Sequence, residues 1–458
     1  MPDFTDLPLS KALAHALAAM AYTDMTPVQA ATLPAILAGR DVVAQAQTGS
    51  GKTAAFALGV LSKLDATRVS LQGLVLCPTR ELADQVSREI RRLARFVPNV
   101  KVLTLCGGVP LRAHLASLAH EPHIVVGTPG RLLELIEAAA LPLQAVQVVV
   151  LDEADRMLDM GFAETVASIV ERVPPTRQTL LFSATIPPEI HAISRRLQRA
   201  ALDVALPSAA QDTLIEQVFF EVDERHKPAT LAMLLLQYQP ESAVVFCNTR
   251  QAVRDVASFL AARGFPVLAL HGDLEQRDRE EMLVRFANRS SSVLIASDVA
   301  ARGLDIADLA MVINFDLAAD PDTHLHRIGR TGRAGRRGIA LSLCAPDEAP
   351  RALLVERRLG ERLVWRPVAP LPKDQRPGQA AFLTLLIDAG RQDKLRPGDL
   401  LGALTGDAGL PATAVGKIDV FPTRTYVAIV RAWHRQAVER LRSGKIKGRN
   451  FRVRELGS

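Results

Sequence analysis

The sequence predicts an α/β fold with two parallel-sheet domains in tandem, followed by a small α+β domain. The chain has 458 residues, which is too long for a single hydrophobic core. Short apolar runs of strand type alternate with helical patterns in two successive series, as is typical of parallel sheets wound with helices. We expect domains at 1–205, 213–366 and 379–458, joined by linkers at 206–212 and 367–378.

The composition argues against several classes of protein. Apolar residues make up 48% of the chain, but no uninterrupted run approaches the ~18 residues of a membrane span. The N-terminus carries acidic residues and lacks the pattern of a secretory signal. The 4 cysteines are widely spaced without a C-x-x-C pair, which disfavours a disulfide framework or a zinc site. We therefore expect a cytoplasmic protein with no membrane partner.

Positive charge is concentrated at the end of the chain. Residues 424–458 contain ten Lys and Arg against two Glu, a net charge of +8. Since the whole chain has a net charge of +6, the remainder carries −2. A near-neutral body with a strongly basic end predicts a polyanion-binding module at the C-terminus.

A phosphate-binding loop is predicted at residues 46–53, AQTGSGKT, which follow an apolar strand-like run and lead into a helical segment. In this context backbone N–H groups cradle phosphates, Lys52 reaches the β and γ oxygens, and Thr53 offers a hydroxyl to Mg²⁺. Ala46 stands where the general pattern has Gly. A chance match in a flexible loop is the alternative.

Three carboxylates end the apolar run that begins at residue 148: Asp152, Glu153 and Asp155. Such a run predicts a buried parallel strand, and open α/β sheets place their chemistry at the carboxyl ends of strands. Acids there suit Mg²⁺, whereas the alternative is a solvated helix N-terminus. The upstream phosphate-binding loop favours the Mg²⁺ interpretation, because P-loop enzymes hold Mg²⁺ between the loop Ser/Thr and an Asp at a neighbouring strand end.

The second series has no phosphate loop but contains HLHRIGRTGR at 324–333. Its arginines Arg327, Arg330 and Arg333 recur at a spacing of three in a Gly-rich setting. We interpret this pattern as arginine fingers, which stabilise charge on a transferring γ-phosphoryl group. An RNA-binding loop is the alternative interpretation.

The ordered set Gln29, AQTGSGKT, PTREL, TPGR, DEAD, SAT, ARGLD and HRIGRTGR resembles the DEAD-box RNA helicases over roughly residues 1–366. The set is more specific than any single motif because it matches in identity, order and spacing. The resemblance implies two RecA-like domains that clamp ATP and single-stranded RNA, and local duplex unwinding without translocation. Ala21 stands where the family often has Gly.

The resemblance also implies roles for individual residues. For the nucleotide these are Phe4, Gln29, Thr48, Gly49, Ser50, Gly51, Lys52, Thr53 and Asp305, and for Mg²⁺ Thr53 and Asp152. Glu153 is the implied general base, His326 orders water, and Arg330 and Arg333 are the implied fingers that act with Lys52. Asp155, Ser183 and Thr185 would couple the domains, and the RNA path would comprise Arg80, Gly108, Thr128, Arg131, Thr249, Arg279 and Ser297.

Beyond residue 378 the pattern β-α-β-β-α-β predicts an RRM-like domain. The aromatic signature for base stacking is absent, and Tyr426 is the only candidate on the third strand, so we expect recognition through basic loops and helix ends. The phrases GRQDKLRPGDLLGALTGD, GKIDVFPTRTYVAI and GKIKGRNFRVREL closely resemble the RNA-binding domain of the DbpA subfamily. The ligand implied is 23S ribosomal RNA near hairpin 92. Candidate contacts are Arg391, Lys394, Arg396, Lys445, Lys447 and Arg449. A generic basic tail is the alternative.

The function expected from these features is ATP-dependent remodelling of 23S rRNA in pre-50S particles during assembly of the large ribosomal subunit. Two alternatives stay open at this point. One is a general RNA helicase in mRNA decay or the cold response, and the other is an ATP-gated RNA clamp with little turnover. We expect ATP and Mg²⁺ as cofactors, no DNA partner, and a monomer.

Overall fold

A computed structural model describes residues 3–46, 49–205, 215–301, 309–332, 337–368, 375–407 and 409–457. Three predicted site residues, Thr48, Asp305 and Arg333, lie outside the described residues. The described residues form three sheets, of seven, six and four strands. No helix in these ranges is both long enough and apolar enough to cross a membrane.

The first sheet is parallel throughout, with strand order β3-β4-β2-β5-β6-β1-β7. Alternate residues of each central strand fall into two apolar clusters, so both faces are buried. The order places β5, β6 and β1 side by side, so their carboxyl ends meet at one edge. The strands are β1 (Val42–Gln45), β2 (Gly73–Leu76), β3 (Val102–Leu105), β4 (Ile124–Gly127), β5 (Val148–Asp152), β6 (Gln178–Ser183) and β7 (Leu202–Ala205).

Nine helices accompany the first sheet in the described ranges. They are α1 (Lys11–Ala19), α2 (Pro27–Leu37), α3 (Lys52–Lys63), α4 (Arg80–Leu93), α5 (Leu111–Leu118), α6 (Pro129–Glu137), α7 (Ala154–Asp159), α8 (Ala163–Glu171) and α9 (Pro188–Leu197). Most follow a strand directly, which gives the wound β-α order that the sequence predicts. Several therefore begin where a site motif begins.

The second sheet is also parallel, with order β10-β11-β9-β12-β13-β8. Its strands are β8 (Ile215–Glu221), β9 (Ala243–Cys247), β10 (Val267–Leu270), β11 (Val293–Ser297), β12 (Met311–Asn314) and β13 (Gly338–Cys344). The helices are α10 (Lys227–Tyr238), α11 (Arg250–Ala261), α12 (Gln276–Ala287), α13 (Asp298–Ala301), α14 (Pro321–Ile328) and α15 (Ala349–Leu359). The prediction of two parallel-sheet domains in tandem is confirmed.

The third sheet is antiparallel, with order β15-β16-β14-β17. Its elements are β14 (Phe382–Ile387), α16 (Pro397–Gly402), β15 (Val415–Val420), β16 (Thr425–Val430), α17 (His434–Ser443) and β17 (Val453–Leu456). The predicted β-α-β-β-α-β order is confirmed. The apolar side of this sheet that faces α16 and α17 forms the core of the domain.

The other face of the third sheet packs against the end of α12 in the second parallel-sheet domain. Val284 of α12 forms an apolar cluster with Leu386 and Tyr426 of the sheet. At the same contact, buried Thr384 is hydrogen-bonded to Asn288 Nδ2 (2.9 Å) and Ser290 Oγ (2.7 Å). Buried hydrogen bonds of this kind fix the orientation of two packed surfaces, because a shifted contact would leave polar groups unpaired.

A partly buried ion pair lies at the edge of this contact. Arg424 Nη2 donates to Glu280 Oε2 at 3.1 Å, and the two side chains are 12% and 22% exposed. The Arg424 guanidinium also lies 5.7 Å from the centroid of the Tyr426 ring. The RRM-like domain is therefore held by apolar, polar and charged contacts together.

We predict that Thr384→Val weakens this contact. Valine keeps the shape of threonine but leaves the Asn288 amide without its buried partner, which should lower the free energy of unfolding by about 1 to 3 kcal/mol. Denaturant unfolding of the full chain, with hydrogen exchange of the α12 amides, measures the effect. Thr413→Val, at an exposed threonine of the same domain, is the control. Equal stability of both variants would contradict the prediction.

Candidate nucleotide and RNA sites

The phosphate loop connects β1 to α3. Gly49 and Gly51 have φ angles of 88° and 90°, in the left-handed region that favours glycine. A Cβ atom at Gly51 would lie 2.6 Å from Gln29 Nε2 and 2.9 Å from Thr26 Oγ1. The helix then begins at Lys52 without a side-chain cap, so its first-turn N–H groups lie next to the loop, an arrangement suited to phosphate.

Gln29 braces the same loop from α2. Its Nε2 donates to the Gly51 carbonyl at 3.0 Å, and its Oε1 accepts from the Thr26 N–H in a capping box. Phe4, the other residue predicted near the base, is buried and packs edge-on against Tyr22 with ring centroids 6.1 Å apart. Contact of either side chain with adenine stays a prediction.

A buried charge cluster lies where β5 ends. Lys52 Nζ is 2.9 Å from Asp152 Oδ1 and 4.0 Å from Glu153 Oε1. Burial disfavours the ammonium, but the carboxylates of Asp152 and Glu153 outweigh it and raise the pKa of Lys52 above its ordinary value. Lys52 is therefore charged at neutral pH and is placed to neutralise phosphate oxygens.

The donor set at this strand end fits Mg²⁺. Within the described ranges, Asp152 Oδ2 is buried without a hydrogen-bond partner. Thr53 lies in the first turn of α3, next to the lysine that contacts Asp152. No cluster of three or more His, Cys, Asp or Glu suited to a metal occurs in those ranges. A cation here would thus take one carboxylate, one hydroxyl, and oxygens from phosphate and water, as Mg²⁺ prefers.

Glu153 has an unusual backbone conformation that its sequence context does not announce. It precedes α7 with φ 54° and ψ 54°, left-handed for a residue with a side chain. Its Oε2 lies 3.3 Å from Arg156 Nη1, and the residue is 4% exposed. Such conformations are disfavoured and persist only where surrounding contacts enforce them. In Glu153 this backbone conformation directs the carboxylate toward the sheet edge where Lys52 lies.

Asp155 is hydrogen-bonded to residues at the end of β6. Its N–H donates to Ser183 Oγ at 3.1 Å, while its Oδ2 accepts from Thr185 N–H and Oγ1 at 2.9 and 3.0 Å. Its role in coupling the domains stays a prediction.

The four predicted RNA residues of the first domain come together at the ends of β2, β3 and β4, which are neighbours in the sheet. Gly108 has φ +76°, and a Cβ there would be 3.8 Å from Arg80 Nη1. Thr128 Oγ1 accepts from the Gly107 N–H at 3.3 Å. Arg131 lies in the first turn of α6, which directly follows Thr128. Its Nη1 donates to the Val109 carbonyl at 2.8 Å.

In the second domain, Thr249 and Ser297 lie at the ends of the adjacent strands β9 and β11. Thr249 is exposed and caps α11 by accepting from the Ala252 N–H at 3.0 Å. Ser297 pairs with Cys247 across the two strands. Arg279 Nη2 donates to the Ala300 carbonyl at 2.8 Å, just beyond β11. The structure thus brings these three residues to one edge of the second sheet.

Arg327 differs from the predicted fingers although it shares their spacing. Its guanidinium is 2% exposed and donates from Nε and Nη2 to the two carboxylate oxygens of Asp298 at 2.7 and 2.6 Å. Nη2 also donates to Asn248 Oδ1 at 2.7 Å. Arg327 therefore binds strand ends within its own domain. His326 lies beside it on α14, and Arg330 follows two residues after that helix with 7% exposure.

All six basic candidates of the RRM-like domain are exposed. Two loops that carry them meet: Lys447 Nζ donates to the Lys394 carbonyl at 3.2 Å, and Arg449 Nη2 is 3.7 Å from Asp393 Oδ1. Tyr426, by contrast, is fully buried against α12, and burial raises the pKa of its hydroxyl to about 12. The only candidate for base stacking on the third strand is thus covered.

Three family models match consecutive parts of the chain. They are the DEAD/DEAH box helicase (residues 26–193), the helicase conserved C-terminal domain (226–335) and the DbpA RNA binding domain (384–455). The ATP-dependent RNA helicase DbpA of Escherichia coli is 54% identical over 437 residues, covering 95% of each chain. The chain belongs to the DbpA subfamily of DEAD-box RNA helicases.

Other relatives resemble the helicase core. The DEAD-box ATP-dependent RNA helicase CshA of Bacillus cereus is 44% identical over 364 residues, 78% of this chain and 68% of the relative. Dbp5 of S. cerevisiae bound to RNA and ADP BeF3 has a TM-score of 0.73 at 29% identity, covering 80% of this chain and 96% of that one. This subfamily member is thus an ATP-dependent RNA helicase with an RNA-binding module.

We predict that Gly51→Ala in this helicase weakens ATP binding by about tenfold or more, because the new methyl group clashes with Gln29 and strains a left-handed residue. Fluorescence titration with a labelled ATP analogue measures it. Gly161→Ala is the control, since that glycine has a similar φ of +76° but no atom within 4 Å of the added Cβ. Similar affinities for the two variants would refute the steric argument.

Proposed function

We propose that this helicase remodels 23S rRNA near hairpin 92 during assembly of the large ribosomal subunit. The observation that carries the proposal is the exposed basic surface formed where the loops 391–396 and 445–449 meet. The module that bears this surface matches the DbpA RNA binding domain. Because its sheet face is covered by α12, the exposed loops are the part that remains free to bind structured RNA.

ATP hydrolysis in this proposal uses the charge cluster at the end of β5. Water attacks the γ-phosphorus while the bond from the γ-phosphorus to the β,γ-bridging oxygen breaks, so that ADP and phosphate are formed. The Glu153 carboxylate accepts the proton of the attacking water, and His326 orders that water. Lys52 neutralises phosphate oxygens, and Arg330 with Arg333 stabilises the charge on the transferring group. Thr53 and Asp152 would hold Mg²⁺, which when bound neutralises phosphate charge. Phe4 and Gln29 would contact adenine, Asp305 the ribose, and residues 48–51 the phosphates.

RNA in the core follows the strand ends of both helicase sheets. Arg80, Gly108, Thr128 and Arg131 contribute from the first domain, and Thr249, Arg279 and Ser297 from the second. Contacts of this kind go to phosphates and sugars, so they hold RNA with little regard to sequence. Selection of the target is then left to the RRM-like module, while Asp155, Ser183 and Thr185 relay nucleotide state to the core RNA path.

The same proposal includes the domain limits 1–205, 213–366 and 379–458, with linkers at 206–212 and 367–378. We also propose that the protein acts as a monomer in the cytoplasm, with RNA and not DNA as its nucleic acid. The described apolar contact between the sheet face and α12 supports a division in which the third domain is docked to the second.

We predict that an rRNA fragment with hairpin 92 stimulates ATPase activity at lower RNA concentrations than an unrelated RNA of equal length does. Lys445→Gln/Lys447→Gln should remove this preference and reduce the slope of log Kd against log salt by about 1.5, because two fewer counterions are released. Lys417→Gln, an exposed lysine elsewhere in the module, is the control. Equal stimulation of the wild type by both RNAs would exclude the proposed target and favour a general helicase.

We predict that Glu153→Gln lowers RNA-stimulated kcat by about a hundredfold or more, because the amide cannot accept the proton of the attacking water. ATP affinity should persist, since Lys52 keeps its partner Asp152. Steady-state phosphate release and nucleotide binding separate the two effects. Glu164→Gln, whose side chain is 86% exposed, should behave as wild type. Turnover within threefold of wild type in Glu153→Gln would mean that another group is the base.

A further inference from the structure

A histidine occupies the core side of α5, a helix that no sequence motif marks. Leu111 and Leu118 pack against the apolar cluster on one side of the first sheet, and His114 lies between them at helical spacing. It is the only buried residue of α5, at 6% exposure. A buried polar side chain in an apolar stripe destabilises the fold unless it makes a hydrogen bond. His114 therefore needs a hydrogen-bond partner.

The partner of His114 is Arg131, one of the proposed RNA residues. Arg131 Nη1 lies 2.6 Å from His114 Nδ1 and donates to the Val109 carbonyl at 2.8 Å, while Nε lies 2.9 Å from Glu134 Oε2. A guanidinium only donates hydrogen bonds and stays protonated in proteins. Nδ1 must therefore be the acceptor, so the contact requires neutral imidazole with its proton on Nε2.

Arg131 in turn fixes the loop that follows β3. Through the Val109 carbonyl it ties residues 107–110 to the start of α6, and Thr128 Oγ1 holds Gly107 in the same loop. Gly108 is at the tip of the loop and lies near Arg80, which follows β2. The shape of this loop thus depends on the position of the Arg131 guanidinium. His114 makes one of the three contacts that fix that position, beside Val109 and Glu134.

We infer that His114 is a positioning residue for RNA binding: its neutral imidazole holds Arg131, and with it the 107–110 loop, in the shape that contacts the RNA backbone. This inference rests on the proposed RNA path of the first domain. It adds a residue that contacts no RNA itself. It also makes the RNA grip of the core dependent on the protonation of one side chain.

The charges around His114 set the sign of that dependence. Burial, then Arg131 and Arg80, lower the pKa of His114, and Glu134 opposes them. Because the folded-state pKa is depressed, the contact contributes above the ordinary histidine pKa of about 6.5 and is lost as the pH falls. Protonation removes the acceptor and places a second cation beside the guanidinium of Arg131.

The test measures binding of the full-length protein to a labelled, non-ribosomal single-stranded RNA by anisotropy, with a non-hydrolysable ATP analogue. Such RNA reports on the core path without the hairpin anchor. His114→Leu should raise the Kd about tenfold at pH ~8, while kcat at saturating RNA changes by less than about twofold. His114→Gln retains an acceptor that does not titrate, so it should bind like wild type at pH ~8.

The pH profile distinguishes positioning from a general structural role. As the pH falls from ~8 through the lowered pKa of His114, the Kd of wild type should rise at least about threefold more than that of His114→Gln. His120→Gln, at an exposed histidine just beyond α5, should keep the wild-type profile. This comparison decides the question even where His114→Leu does not fold.

Two results would overturn the inference. One is a pH profile of His114→Gln that equals the wild-type profile. The other is an unchanged Kd in folded His114→Leu. Arg80→Gln separates the possible causes: if it weakens RNA binding while His114→Leu does not, only the role of His114 fails. If neither variant weakens binding, the proposed RNA path fails with it.

Discussion

The buried ion pair between Lys52 and Asp152 is the interaction on which the first domain depends. Two charges removed from water are tolerated only when they are paired, and here the pair lies where three adjacent parallel strands end. A triphosphate entering the loop would compete with Asp152 for the ammonium of Lys52. The carboxylate would then need a new cation, so the binding of a nucleotide and of a metal would be linked through Lys52.

How far the sequence predicts the structure depends on the distance along the chain between interacting residues. The phosphate loop is local, and its glycines have the positive φ angles that such a turn requires. Two partners of Arg327, by contrast, lie 29 and 79 residues away. Its spacing predicts a finger, whereas its contacts are with its own domain. His114 has no sequence signal because its partner, Arg131, follows a different strand of the sheet. The left-handed backbone of Glu153 has no sequence signal either.

The two helicase sheets share a plan but differ in what lies at their strand ends. The first combines the buried pair of Lys52 and Asp152 with loops shaped by glycines of positive φ, as at Gly51 and Gly108. The second is fastened internally by buried charges, with Arg327 bound to Asp298 and Lys227 bound to Glu348 at 2.7 Å. A domain braced in this way suits the delivery of side chains at fixed positions, whereas adaptable loops suit ligands that come and go.

The covered sheet of the RRM-like domain also bears on how such modules spread between proteins. Tyr426 and Leu386 of this domain share an apolar cluster with Val284 of α12, so the isolated domain would expose more of these side chains. Fused to an unrelated carrier, it would present an apolar, aggregation-prone face. Transfer by recombination would therefore succeed chiefly into hosts that already offer a matching helix. The recognition surface and its docking helix are expected to be inherited as a single unit.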